Sequence, residues 1–171
     1  MRSGGLIVVG VDGSKSAHAA LEFALEEAAR WSAHVRAVTA FHPPEYWPVV
    51  YGMAGGMVVP PTMAELADDA ERTARKALTD ATGSVGPAAR TVPVDVRVVP
   101  GSAGQVLLDQ AAEADLLVVG HRGRGGIASA CLGSVGLQCV LHAACPVVVV
   151  RCAQASAARA EVAAVPDAAR A

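Results

Sequence analysis

The stretch GHRGRGGIASACLGS, residues 120–134, places five glycines in fifteen residues between the apolar runs DLLVVG (115–120) and PVVVVR (146–151). Glycine loses more conformational freedom on folding than any other residue, so such a cluster needs a physical reason. Three reasons fit these residues: a cradle for phosphate groups, an RNA-binding element rich in Arg and Gly, or an ordinary flexible turn. The runs on either side indicate the fold in which the stretch must sit.

Short, Val-rich apolar runs recur along the chain and are typical of strands that are covered on both faces of a sheet. Helical patterns lie between them, with Ala and Leu on one face and charged residues on the other. The predicted strands are LIVVGV (6–11), HVRAVTAF (34–41), VDVRVV (94–99), DLLVVG (115–120) and PVVVVR (146–151). The predicted helices cover 16–31, 63–81 from the capping box Thr62-x-x-Glu65, a stretch opened in the same way by Ser102-x-x-Gln105, and a stretch from near Ser134 to before Pro146.

This alternation predicts an α/β domain with an open parallel sheet and helices on both faces. We expect one domain over residues 4–152, followed by a mobile Ala-rich tail over residues 153–171. The Pro- and Gly-rich connection at 42–61 is too long for an ordinary loop, and loops of that length are usually functional or disordered. Its aromatic residues make it a candidate cover for a bound base, with a dimer contact or disorder as the alternatives.

Composition excludes several classes of function. The chain is 53% hydrophobic but only 4% aromatic, so its core must consist mainly of Val, Leu and Ala. The formal net charge of -2 argues against a general nucleic-acid binder. No apolar run is long enough to span a bilayer. The four cysteines show no metal-site spacing and are typical of reduced thiols in a cytoplasmic protein; they are Cys131, Cys139, Cys145 and Cys152.

Ligands of open α/β sheets bind at the carboxyl ends of the strands. That rule selects the Asp12-Gly13-Ser14 turn, the end of the second strand at Ala40, the Pro100-Gly101-Ser102 turn and the glycine cluster. A helix that begins near Gly133 would present unpaired amides and a partial positive charge, which suit phosphate. This favours the phosphate cradle over the RNA element, because RNA-binding Arg-Gly regions repeat and are not bracketed by core strands.

The glycines also resemble a known family. The spacing Gly120-x2-Gly123-x9-Gly133-Ser134 matches the G-x2-G-x9-G-(S/T) motif of nucleotide-binding universal stress proteins, and VVGVDGS and HAACPVVVVR resemble the family's first and last strands. One position departs from the pattern, since Gly136 stands where the family often has Ser or Thr. The resemblance covers about residues 4–152. It implies a Rossmann-like sheet of order 3-2-1-4-5, ATP as ligand with or without Mg²⁺, and a homodimer formed through the last strand, residues 146–151.

The same resemblance implies roles for individual residues. Asp12 would lie beside the nucleoside, and Ala40 would bond adenine through its backbone. The phosphates would contact Gly120, Gly123, Gly133, Ser134 and Val135, with Val11 and Val119 as close neighbours and Arg122 as a further candidate. Simpler roles stay open: Asp12 could only brace its turn, Ser134 could only cap a helix, and Arg122 could be solvated.

Neither a nucleophile–base pair nor a metal cluster appears, and the P-loop sequence is absent. A regulatory nucleotide-binding protein of the stress response is therefore favoured over an enzyme. A slow ATPase that uses the same site and a nucleotide-free interaction module are the alternatives. The sequence does not distinguish ATP from ADP or cyclic AMP.

Overall fold

A computed structural model of the chain describes residues 4–42, 61–123 and 132–152. Its strands form one parallel sheet of order β3-β2-β1-β4-β5, which confirms the predicted fold class. The strands are β1 Leu6–Gly10, β2 His34–Phe41, β3 Val94–Pro100, β4 Leu116–Gly120 and β5 Val147–Val150. The helices of these ranges are α1 Lys15–Trp31, α2 Met63–Ser84, α3 Pro87–Arg90, α4 Ala103–Gln110 and α5 Ser134–His142. The predicted tail and nearly all of the 42–61 connection lie outside the described residues.

Two apolar layers cover the sheet, one on each face. Ile7 and Val9 of β1 pack with α1, α2 and α3, whereas Val8 between them packs with α4 and α5. This alternation follows from the two-residue period of a strand. The apolar Ala and Leu face predicted for α1 is confirmed, since this face is buried; its residues include Ala17, Leu21, Ala24, Leu25 and Ala28.

The outer strands differ from the inner three. No residue of β3 or β5 is fully buried, although both strands contribute side chains to the two apolar layers that cover the sheet. Their apolar sequences resemble those of inner strands, but the order of the sheet places them at its edges. β3 carries charges at its edge, where Arg97 Nε lies 2.7 Å from Asp95 Oδ2, while all four residues of β5 are valines.

Helix starts agree with the sequence in one case and not in another. The capping box of α2 is confirmed, with the Glu65 amide donating to Thr62 Oγ1 at 3.2 Å and the Thr62 amide donating to the Glu65 side chain at 2.8 Å. The second predicted box was wrong. Ser102 is the N-cap of α4, but its side chain makes no capping bond, and Gln105 Nε2 instead donates to Asp109 Oδ1 at 2.8 Å. Among the described helices, none is long and apolar enough to cross a membrane.

Candidate functional site

The carboxyl ends of the parallel strands bring the predicted site residues to one edge of the sheet. From β1 the chain proceeds to β2 and β3 on one side, whereas β4 leads to β5 on the other side. The strand order therefore reverses between β1 and β4, which is where open α/β sheets form a crevice for ligands. The turn that follows β1 and the loop that follows β4 face each other across this point.

The turn after β1 is held by its own side chains. The Ser14 amide donates to Asp12 Oδ1 at 2.9 Å, and Gly13 adopts a φ of 79°, which glycine tolerates without strain. Ser14 caps α1 by accepting from the Ala17 amide at 3.2 Å. Its hydroxyl lies 3.3 Å from the Arg122 carbonyl, to which it donates. Ser14 thus links the turn after β1 to the loop after β4. The only sequence signal for this role was a serine directly before a helical pattern.

Val11 and Ala40 lie at the carboxyl ends of β1 and β2, beside the crevice. The Val11 amide donates to the Val38 carbonyl at 2.8 Å, and the Val11 carbonyl accepts from Thr39 Oγ1 at 2.9 Å. Thr39 is buried and was missed by the sequence reasoning, although a threonine within an apolar strand was the available signal. The β1–β2 ladder ends at Gly10 and Val38, whereas the β2–β3 ladder continues beyond Ala40. Ala40 therefore lies past the end of β1, beside the crevice.

Gly120 and Gly123 are required by close contacts within the protein itself. A Cβ atom on Gly120 would lie 2.7 Å from the Ser16 carbonyl carbon and 2.9 Å from the Ala17 amide nitrogen, so β4 can approach α1 only because this residue is glycine. A Cβ atom on Gly123 would lie 2.6 Å from Asp12 Oδ2. A side chain at 123 would therefore displace the Asp12 carboxylate. Gly120 has a packing role that its motif spacing did not reveal.

The start of α5 lies against the loop that follows β4. Gly133 is the N-cap, with φ -64° and ψ 157°, and its amide donates to the His121 carbonyl at 3.1 Å. Ser134 is the first residue of the helix, so the alternative that Ser134 is the N-cap was wrong. The N-cap makes no side-chain hydrogen bond, so the start of α5 carries the partial positive charge of a helix N-terminus without a side-chain cap. The Gly133 backbone is unstrained, so no special dihedral angle requires glycine there.

Two further predicted residues, Val119 and Val135, pack in the layer below the site. Val119 is 3% exposed, and Val135 packs against the same apolar cluster. Their side chains belong to the core between the sheet and α5. Of these two residues, only Val135 has its backbone in the first turn of α5.

Positive charge collects at the loop after β4. The Nε atom of Arg122 is buried and has no hydrogen-bond partner in the described part of the chain. A buried, unsatisfied guanidinium nitrogen is unusual and marks a place where an acceptor would be stabilised. Burial, the charge of Arg151 and the charge of Arg122 lower the pKa of His121, in that order of importance. The field here thus disfavours a further positive charge and favours an anion.

Among the described residues, two cysteines are weak nucleophiles and the acidic side chains form no metal site. Burial raises the pKa of the Cys139 and Cys145 thiols, which makes both poor nucleophiles at neutral pH. Cys139, Cys145 and Cys152 are free thiols, and Cys131 lies outside the described residues. Over the ranges that the structure covers, no group of three or more His, Cys, Asp or Glu side chains could hold a metal ion.

Comparison with known proteins gives one consistent result. The model of the universal stress protein family matches residues 6–151. Universal stress protein Rv2624c of Mycobacterium tuberculosis (strain ATCC 25618 / H37Rv) is 30% identical over 148 residues, which cover 85% of this chain and 47% of that protein. The chain thus spans about half the length of the curated relatives that it matches.

Solved structures agree in fold. The universal stress protein UspA from Lactobacillus plantarum superposes with a TM-score of 0.64 at 26% identity, covering 88% of this chain and 99% of that one. A universal stress protein solved in complex with cAMP superposes with a TM-score of 0.55 at 28% identity, covering 88% of this chain and 98% of that one. The family model and the shared strand order lead to one conclusion: this chain belongs to the universal stress protein family.

Proposed function

We propose that this chain is an ATP-binding universal stress protein whose nucleotide site lies at the crevice between β1 and β4. The observation that carries the proposal is the start of α5, which lacks a side-chain cap and lies beside the loop after β4. Helix starts of this kind bind phosphate through their amides. The unsatisfied Nε of Arg122 supports an anionic ligand at the same loop, and a structural relative solved with cAMP supports an adenine nucleotide.

The proposed pose follows the crevice from β2 to α5. Adenine lies over Ala40 and bonds to its backbone, and Asp12 accepts from the ribose end. The phosphates contact Gly123 and the amides at the start of α5, Ser134 and Val135. In this pose Gly120 acts indirectly, since its close contact with α1 keeps the loop in place. Mg²⁺, if present, enters as the counter-ion of the nucleotide, for which no protein ligands are assigned.

The function we propose for this site is regulatory binding in the stress response and not turnover. The described residues of the crevice offer one carboxylate, Asp12, which already accepts from the Ser14 amide and lies against Gly123. Its place beside the nucleoside end suits recognition better than attack on a phosphate. A slow ATPase remains the second candidate, since the Arg122 cation could stabilise charge on a transferring phosphate.

The test is the content of the purified protein. Denaturation of the purified protein should release an adenine nucleotide, which mass spectrometry identifies. Calorimetric titration of the nucleotide-free protein with ATP should show one site per chain. A protein that carries no nucleotide and binds none at millimolar ATP would contradict the proposal and favour the interaction module. Release of phosphate from ATP that Arg122→Gln abolishes would favour the ATPase.

We further propose that residues 4–152 form the functional unit and that it assembles as a cytoplasmic homodimer through β5. The two edges of the sheet support this choice. β3 carries Asp95 and Arg97, whereas β5 consists of four valines that are only half-buried in the single chain. Charged edge strands resist pairing, and an uncharged apolar edge favours it. Light scattering at micromolar concentration should give twice the mass of the chain, and a monomer would contradict the assembly.

A further inference from the structure

The register of β4 and β5 places Arg151, which is not part of the glycine motif, beside that motif. β4 and β5 pair with Gly120 opposite Val150, and the His121 amide donates to the Val150 carbonyl at 2.7 Å. The next residues along both strands are therefore neighbours: His121 on one and Arg151 on the other. Arg151 directly follows β5, so it belongs neither to the glycine motif nor to the turn and loop that border the crevice between β1 and β4.

Alternation along the strands then decides which face these two side chains occupy. Val148 and Val150 pack in the layer below α1, whereas Val147 and Val149 pack in the layer below α4 and α5. The two-residue period continued by one position puts Arg151 on the face of α5. The same argument applies to His121, because the missing Cβ of Gly120 points at the α1 backbone.

The start of α5 lies on this same face. The Gly133 amide donates to the His121 carbonyl, so the helix begins directly against His121. The side chain of Arg151 is exposed and that of His121 is partly exposed. None of the ion pairs formed by the described residues includes Arg151 or His121. The charge of Arg151 reaches the imidazole, because it contributes more than Arg122 to lowering the pKa of His121.

We propose that Arg151 forms a second cationic wall of the phosphate site and, with the His121 imidazole beside it, binds the outermost phosphate of a nucleoside polyphosphate. The inference rests on the proposed function and deepens it by naming the residues that distinguish a longer phosphate chain from a shorter one. A further wall of positive charge on the β5 side stabilises the additional negative charge of a longer phosphate chain, and a cyclic monophosphate has no group to place there.

The test compares nucleotides that differ only in the number of phosphates. Calorimetric titrations with ATP, ADP and AMP are made on the wild-type protein, on Arg151→Gln and on the control Arg97→Gln, which removes an exposed arginine from the opposite edge of the sheet. Arg151→Gln should weaken ATP binding by about tenfold, the size of one charge-assisted contact, and leave AMP binding within about twofold. Arg97→Gln should change none of the three affinities.

The outcomes separate this inference from the proposed function. Unchanged ATP affinity in Arg151→Gln would overturn the cationic wall while leaving the nucleotide site intact. An equal loss for ATP and AMP would also overturn it, because the effect would then not depend on the outermost phosphate. A wild-type protein that binds none of the three nucleotides would overturn both. An NMR titration of His121 provides a second measurement: its pKa in the nucleotide-free protein should rise in Arg151→Gln, and an unchanged pKa would contradict the placement.

Discussion

Replacement of Gly133 by alanine should abolish nucleotide binding while leaving the fold intact. The Cβ atom that alanine adds would lie 3.5 Å from the His121 carbonyl oxygen and 3.7 Å from the Arg122 Cα, both ordinary contact distances. The φ of -64° and ψ of 157° at Gly133 are open to any residue. The structure therefore offers no steric reason for glycine at this position. If glycine is needed there, the reason lies in a ligand that approaches the backbone.

The two expected magnitudes differ enough to be measured separately. Alanine is a poorer N-cap than glycine, and the loss should be about 1 kcal/mol of stability, or about 2–4 °C in Tm. A methyl group at the phosphate cradle should remove two charge-assisted hydrogen bonds, which are worth about 3–6 kcal/mol together. That corresponds to a loss of about 10²–10⁴ in affinity.

Calorimetric titration with ATP and thermal melts without ligand provide both quantities on the same samples. Asp12→Ala serves as the comparison variant, since it should disturb the nucleoside end, leave the phosphates held and weaken binding less. Wild-type affinity in a folded Gly133→Ala protein would refute the phosphate cradle. A large fall in Tm with unchanged affinity would favour the glycine as a structural turn residue only.

Three other substitutions test neighbouring parts of the site. Gly120→Ala should lower the free energy of unfolding by about 1–3 kcal/mol in chemical denaturation, because its Cβ meets the Ser16 backbone at 2.7 Å; wild-type stability would contradict the close contact. Gly123→Ala should displace the Asp12 carboxylate and weaken ATP binding by about tenfold in calorimetry, and unchanged affinity would mean that Asp12 makes no ligand contact. ATP affinity should rise as the pH falls from about 7.5 to about 6. Burial and two arginines hold the His121 pKa low in the free protein. Bound phosphate would raise this pKa, so nucleotide binding takes up a proton and is favoured at lower pH. His121→Gln should remove this part of the pH dependence, and identical pH profiles for both proteins would refute the linkage.

The fold was predictable because its signals are local. Apolar runs of strand length alternate with amphipathic helical patterns, and each inner strand and each long helix appears within a few residues of its predicted place. The edges were not predictable from the same signals. β5 has the Val-rich sequence of an inner strand, and the two charged residues of β3 do not by themselves mark an edge, because the inner strand β2 carries Arg36; the order of the whole sheet decides that β3 and β5 are half-exposed.

Which loops lie together at the candidate site was predictable from the sequence, but the contacts between them were not. Motif spacing indicated the loop after β4 and the start of α5. It could not distinguish glycines that allow a ligand to approach from glycines that allow another part of the backbone to pack closely. Gly120 belongs to the second group, since it makes room for α1. The side-chain hydrogen bonds of Thr39 and Ser14 were missed because they reach residues that are distant in sequence, Val11 in one case and Arg122 in the other. Bonds of this kind depend on register, which the amino-acid pattern alone does not contain.

The difference between the two edges of the sheet has a consequence for how far assembly can proceed. A sheet with two open edges can add chains at both ends and grow into a filament, whereas a sheet with one open edge stops after a single pairing about a two-fold axis. Here Asp95 and Arg97, joined to Arg36 of the neighbouring strand through Asp95, occupy one edge with charge. A dimer formed through β5 would present those charged strands at both of its outer ends. The charges of β3 would then prevent further strand pairing, so that assembly through the apolar β5 edge stops at the dimer.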